Sequence, residues 1–179
     1  MQSASPTRRG FLRGRMRAVA PAMRPPWALV EPVFLAACTR CDACIDACPT
    51  TILVRADGGY PAADFSLGEC TFCGECAARC EPRALVRGAD GAAPWALKAS
   101  IGHGCLAESG VECRVCGENC PMGAIRFRPR LGGVALPQLD DSACTGCGAC
   151  FAPCPTRAIA LGAEAAERMP DEFPTGSER

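Results

Sequence analysis

The sequence predicts an α+β chain of two small, irregular tandem modules, each folded around metal-bound cysteine rather than around an ordinary apolar core. Three observations lead there. Sixteen of the 179 residues are cysteine, a fraction at which a short chain owes its fold to cross-links or bound metal. Leu, Ile, Val and Phe together number only 32, under the roughly 20% below which chains tend to stay unfolded. Nineteen glycines and 16 prolines favour turns over long helices or strands. The apolar fraction of 49% does not contradict this, because 31 alanines and the 16 cysteines make up more than half of it.

Residues 1–30 read as a basic, flexible arm. They hold Arg8, Arg9, Arg13, Arg15, Arg17 and Arg24 and no acid, a formal +6, so the neutral total leaves a formal −6 on the rest of the chain. Thr7-Arg8-Arg9-Gly10-Phe11-Leu12-Arg13 is similar to the twin-arginine export consensus. A working signal also needs an apolar stretch of about 7 to 15 residues. Here Arg15, Arg17 and Arg24 interrupt the stretch after Leu12, and Pro21, Pro25 and Pro26 break it further. The expectation is therefore an uncleaved arm on a cytoplasmic protein. Phe11, Leu12, Met16 and Val19 could share one side of a short helix that docks on a protein surface. Nothing in the arm or after it carries the interleaved aromatics of a nucleic-acid binder. No run of 18 apolar residues exists to span a membrane.

Beyond the arm stand four cysteine runs. Cys38, Cys41, Cys44 and Cys48 form C-x2-C-x2-C-x3-C before Pro49. Cys70, Cys73, Cys76 and Cys80 repeat it, with Glu81 next and the proline one place late at Pro82. Cys144, Cys147, Cys150 and Cys154 repeat it again before Pro155. Cys105, Cys113, Cys116 and Cys120 keep the last two gaps and stretch the first to seven residues. This spacing is the bacterial ferredoxin signature of a 4Fe-4S cluster. Short gaps let one looping segment deliver three soft thiolates to neighbouring iron corners. Ala43, Gly74, Gly146 and Gly148 lie inside those loops and allow amides to approach the sulfurs. Structural zinc, by contrast, takes two separated C-x2-C pairs. A disulfide framework needs an oxidising compartment, and a redox C-x2-C needs a surrounding βαβ pattern that is absent.

The fourth cysteines are 32, 40 and 34 residues apart, and five residues after each stands an aliphatic one: Leu53, Leu85, Ile125, Ile159. Closer spacing within pairs than between them predicts two bacterial two-cluster ferredoxin units, at 31–90 and 91–161. In such units the fourth cysteine ligates the other cluster. The predicted sets are therefore Cys38, Cys41, Cys44 with Cys80; Cys70, Cys73, Cys76 with Cys48; Cys105, Cys113, Cys116 with Cys154; and Cys144, Cys147, Cys150 with Cys120. Three clusters rest on the regular runs, and the second module holds one or two, according to whether the stretched run binds a fourth. Each oxidised cluster with its thiolates carries roughly −2, which would take the chain to roughly −8. Strands are expected at Gly59 to Phe65 and Gly133 to Leu139. The end from Gly162 to Arg179 is acidic and is expected to be disordered.

Several segments resemble the NapF family, the ferredoxin-type accessory proteins of periplasmic nitrate reductase systems. They are Arg8-Arg9-Gly10, Arg24-Pro25-Pro26-Trp27, Cys38-Thr39-Arg40-Cys41-Asp42-Ala43-Cys44, Gly59-Tyr60-Pro61, Val111-Glu112-Cys113-Arg114, Phe127-Arg128-Pro129 and Cys144-Thr145-Gly146-Cys147-Gly148-Ala149-Cys150. The resemblance implies a cytoplasmic protein that binds the immature catalytic subunit of nitrate reductase and assists its maturation before export. It also implies three ferredoxin-type motifs, at the runs beginning Cys38, Cys70 and Cys144, so the Cys105 run is where spacing and family description part. No independent enzyme activity is expected. His103, the only histidine, lies between two glycines, Tyr60 is the only tyrosine, and Asp140 and Asp141 read as solvated loop acids. The alternative function is a polyferredoxin electron-transfer subunit, with a redox donor protein, linking a quinol or reductase partner to a terminal enzyme.

Overall fold

The computed structural model describes residues 22–88 and 93–163. Secondary structure comes in short pieces. Helix α1 spans Glu31–Ala37, α2 Ala43–Asp46, α3 Glu75–Ala78 and α4 Val115–Glu118, with a 3-10 turn at Asp57–Gly59. The strands are β1 Leu53–Arg55, β2 Pro61–Ala63, β3 Leu97–Ile101, β4 Ile125–Arg130, β5 Gly133–Leu139 and β6 Ile159–Ala163. Helices α2, α3 and α4 are single turns that each carry the third cysteine of a run: Cys44, Cys76 and Cys116. The fourth run makes only turns around Cys150.

Every sheet is an antiparallel pair. The strand β1 pairs with β2 (Leu53↔Ala63), β3 with β6 (Leu97↔Ala163 through Ile101↔Ile159) and β4 with β5 (Ile125↔Leu139), with an irregularity between Arg128 and Arg130. The second module thus has a central hairpin, β4–β5, and a ribbon joining its two ends, β3–β6. In the first module β1–β2 is the hairpin, and the ribbon shrinks to one bridge, Ala28↔Leu85, flanked by Leu29 N–H to Ala84 O and Val86 N–H to Trp27 O. The expected strand at Gly133 to Leu139 forms over that range, whereas Gly59 to Phe65 yields only Pro61–Ala63 because the 3-10 turn occupies its start.

The module boundaries shift at both ends. Residues 22–30, expected in the flexible arm, pack onto the first module. Arg24 lies over the rings of Phe34 (4.9 Å) and Tyr60 (5.4 Å) and makes a two-point contact with Glu31 at 2.6 and 3.0 Å. Pro25, Pro26 and Trp27 are buried. Aromatic and proline surface pulls this stretch in, and Glu31 compensates its charge. Residues 1–21, with the twin-arginine-like segment, lie outside the described residues. Strand β6 continues to Ala163, two residues past the predicted module end. Of the tail, 164–179 lie outside the described residues.

The aliphatic position five residues after each fourth cysteine is core in all four repeats: Leu53, Leu85, Ile125 and Ile159 are each 4% exposed or less. No polar or charged side chain is buried in the core among the described residues. Helix α1 contributes Phe34, fully buried, while its neighbour Val33 is 49% exposed. Phe34→Ala is expected to cost about 3–5 kcal/mol and Val33→Ala within about 0.5 kcal/mol, as measured by chemical denaturation of the two variants side by side.

Candidate metal centres

The short cysteine gaps close because the backbone enters the left-handed region at fixed places. In the first run Arg40 (φ 59) and Asp42 (φ 63) flank Cys41. The equivalents are Phe72 (φ 54) and Gly74 (φ 86) around Cys73, and Gly146 (φ 72) and Gly148 (φ 83) around Cys147. Two such residues bend the loop so that its three cysteines face one side. Three of the four small residues singled out from the sequence, Gly74, Gly146 and Gly148, occupy these places; Ala43 does not, and Asp42 takes the strained position instead. A side chain on Gly146 would overlap the Leu97 carbonyl. The stretched run lacks this pair, with Arg114 at φ −129, and reaches the same end through its long loop.

A second repeated feature was not visible in the residue pattern. Three residues after each fourth cysteine the backbone is again left-handed, at Thr51 (φ 54), Arg83 (φ 56), Gly123 (φ 59) and Arg157 (φ 54). Only one of the four is glycine, so the other three hold a conformation that costs roughly 1–2 kcal/mol. The turn folds an amide back toward sulfur. Leu85 N–H donates to Cys80 Sγ at 3.4 Å, and Ala124 N–H to Cys120 Sγ and Ala158 N–H to Cys154 Sγ at 3.3 Å. Such bonds to the sulfurs tune a cluster's potential.

Four hollows result, of about 320, 350, 320 and 340 Å³ including their mouths. One is lined by Cys48, Cys70, Cys73 and Cys76, the next by Cys38, Cys41, Cys44 and Cys80. The third has Cys120, Cys144, Cys147 and Cys150, and the last has Cys105, Cys113, Cys116 and Cys154. These are the four crossed groupings read from spacing, the stretched run included. Apolar side chains make up much of the remaining lining, with Trp27, Ile52, Leu53 and Phe72 around the first and Ile101, Leu106, Val115 and Ile159 around the last. Trp27 and Pro26 were missed as lining because they stand in the basic arm of the sequence.

The donor set fits a cubane better than an ion. Zinc would draw four sulfurs to about 2.3 Å from one point. Among the described residues, which include all 16 cysteines, no three His, Cys, Asp or Glu side chains converge on such a point. Each tetrad surrounds a volume instead.

Burial pushes Cys44 and Cys70 up to about 11, and Cys76 and Cys150 up to about 12. Cys116 rises as well, through burial and then the neighbouring Cys105. Burial also raises Cys48 and Cys154, but hydrogen bonds outweigh it and leave both below the usual thiol range. They come from Thr50, Leu53 and Ile52 for Cys48 and from Ala158, Thr156 and Ile159 for Cys154. Cys41 lies low because the Ala43 amide and the Thr39 hydroxyl bond its sulfur. Ligation needs thiolate, so loading the buried tetrads must release protons and acidification must oppose it.

Elsewhere little acid–base chemistry is on offer. His103 is exposed, and Tyr60 donates its hydroxyl to Leu35 O at 3.3 Å. Asp140 is more than a solvated acid: its Oδ1 accepts from Ser142 N–H, Ser142 Oγ–H and Ala143 N–H at 3.0, 2.6 and 3.3 Å, shaping the approach to Cys144. Asp64 does the same for Ser66 ahead of Cys70. The Asp-x-Ser pattern was the available signal for both. Lys98 Nζ ties the same approach by donating to Asp141 O and Cys144 O at 2.8 and 2.6 Å. No helix among the described residues is long and apolar enough to cross a membrane.

Two crossed pairs of thiol tetrads in two tandem modules define an iron-sulfur protein of the dicluster ferredoxin class. Comparison with known families agrees, matching 4Fe-4S dicluster domains to residues 37–85 and 111–158. Within that class the chain belongs to the NapF family of ferredoxin-type proteins. It is 50% identical to the ferredoxin-type protein NapF of Escherichia coli K12, over 86% of this chain and 92% of that one. Identity to NapF of Haemophilus influenzae is 44%, with the same coverage. The methylamine utilization ferredoxin-type protein MauM of Methylophilus methylotrophus is 32% identical over 95% of this chain and 80% of its own.

Crossed ligation has a direct check in iron content. Cys105→Ala and Cys154→Ala are each expected to lose the same share, about four of about sixteen iron atoms, and the double variant no more. Additive losses would contradict the shared set.

Proposed function

We propose that this chain is a cytoplasmic maturation factor that binds the immature catalytic subunit of a periplasmic nitrate reductase and serves it through four 4Fe-4S clusters. Electron transfer is the general activity of its class. The observation that carries the fuller reading is that all sixteen cysteines are gathered into four closed tetrads, the Cys105 set as complete as the others. Bound there, a cluster supplies one-electron oxidation and reduction and leaves no coordination site open to substrate.

The chain's own residues do the rest. Trp27, Ile52, Phe72 and Leu85 exclude water from the sulfurs of the first module. Backbone amides of Leu85, Ala124 and Ala158 hold charge on the fourth cysteines. With His103 exposed and Tyr60 bonded to Leu35 O, work on the client reduces to binding and electron supply. The interrupted apolar stretch after Arg8-Arg9 supports a cytoplasmic site of action, since a standing supplier to a periplasmic enzyme would itself need export.

The likeness to MauM over nearly the whole chain favours keeping a second reading, an electron-transfer subunit between a reductase or quinol partner and a terminal enzyme. A relative named for methylamine utilization matches 95% of this chain without the nitrate system in its name. Affinity capture of the full chain from cells arrested in nitrate reductase export is expected to recover the immature catalytic subunit. Recovery of a respiratory complex in its place would overturn maturation and leave the second reading.

A further inference from the structure

The four tetrads do not stand in space in the order in which their runs occur in the chain. Within the first module, Cys44 and Cys48 lie four residues apart in the chain and line different hollows; Cys76 and Cys80 do the same. In the second module Cys116 and Cys120, and Cys150 and Cys154, join the other two hollows in the same way.

The modules meet at one side of each. Cys70 N–H donates to Cys147 O at 2.8 Å, so a ligand of the Cys70 tetrad and a ligand of the Cys144 tetrad touch through backbone. Trp95 lies against Phe65 and Phe72 at 5.5 and 5.9 Å, both edge-on, and donates Nε1–H to Thr145 O at 3.2 Å. A side chain on Gly148 would overlap the Phe65 ring, so glycine there serves the contact between modules as well as the left-handed turn.

From this contact β3 runs outward like a ruler. Trp95 touches the first module, the Leu97 carbonyl packs on Gly146, Ala99 lines the Cys144 hollow and Ile101 lines the Cys105 hollow. The four steps from Leu97 to Ile101 along the strand cover about 13 Å. The partner strand keeps step, with Leu161 at the Cys144 hollow and Ile159 at the Cys105 hollow.

We infer that the sites form a single row, Cys38 tetrad, Cys70 tetrad, Cys144 tetrad, Cys105 tetrad, joined site to site across the modules where Cys70 meets Cys147, with Trp95 as the positioning residue of that junction. The inference rests on the reading that each tetrad holds a cluster. The run with the divergent spacing is then terminal, although it comes third in the sequence. With clusters bound, the row would pass one electron at a time with no bond made or broken: an external one-electron donor protein would be oxidised as an end site is reduced, and each site would be reoxidised as it reduces the next.

Magnetic coupling between reduced clusters reads the order without any client. In the full chain, Cys41→Ala with Cys113→Ala removes the outer sites, and Cys73→Ala with Cys147→Ala removes the inner ones. Each variant should keep about eight iron atoms. Dithionite reduction should then give dipolar-broadened electron paramagnetic resonance for the inner pair, although its members lie in different modules, and narrow, uncoupled signals for the outer pair. Coupling in the outer pair and none in the inner would overturn the order. In the Cys41→Ala with Cys113→Ala background, Trp95→Ala should leave the iron content at about eight atoms and remove the inner-pair broadening, and unchanged broadening would overturn its role. A wild-type chain without iron and sulfide would instead overturn the cluster reading itself.

Discussion

Every hollow takes three cysteines from one run and the fourth from another, and the remainder of the structure depends on that exchange. A chain with 32 large aliphatic and phenylalanine residues cannot close two modules on apolar burial alone. Crossing the fourth cysteine ties the two ends of each module to each other through the metal sites. Residues near 48 must meet those near 70–76, and residues near 80 must meet those near 38–44. The bridge at Ala28↔Leu85 and the longer β3–β6 ribbon are what remains for backbone pairing to add.

The same constraint explains the short helices and the strained turns. A helix longer than one turn after Cys44 or Cys76 would carry the fourth cysteine along its axis instead of releasing it toward the neighbouring hollow. The chain stops after four residues and reverses through the left-handed residue three places beyond the fourth cysteine. That Thr51, Arg83 and Arg157 tolerate this conformation indicates that the turn is held by what it completes: an amide on sulfur and an aliphatic residue, two places on, in the core.

The electrostatics are set by burial. Thiols at the centre of each module are held neutral and the fourth cysteines 48 and 154 are eased toward thiolate by hydrogen bonds, so one site mixes reluctant and willing ligands. A cluster core, being positively charged before its thiolates are counted, supplies the attraction that overcomes burial. Folding and metal loading are thereby linked, as expected where ligands become organised only in the folded chain.

Residue spacing alone determined the pairing of runs into two modules and which cysteines share a hollow, because four soft donors at fixed short intervals admit few geometries. It also marked Leu53, Leu85, Ile125 and Ile159 as a repeated position. What spacing could not reveal was anything made between segments remote in sequence. Trp27 reads as part of a basic arm until Arg24 is seen held by Glu31, Phe34 and Tyr60. The stretched run looks doubtful until its long loop brings Cys105 to the same hollow as Cys154. The sites' order in space was settled only by the tertiary contact of Cys70 with Cys147 and by β3 leading away from it, because side-chain packing at Phe65, Trp95 and Gly148 leaves no periodic trace along the chain.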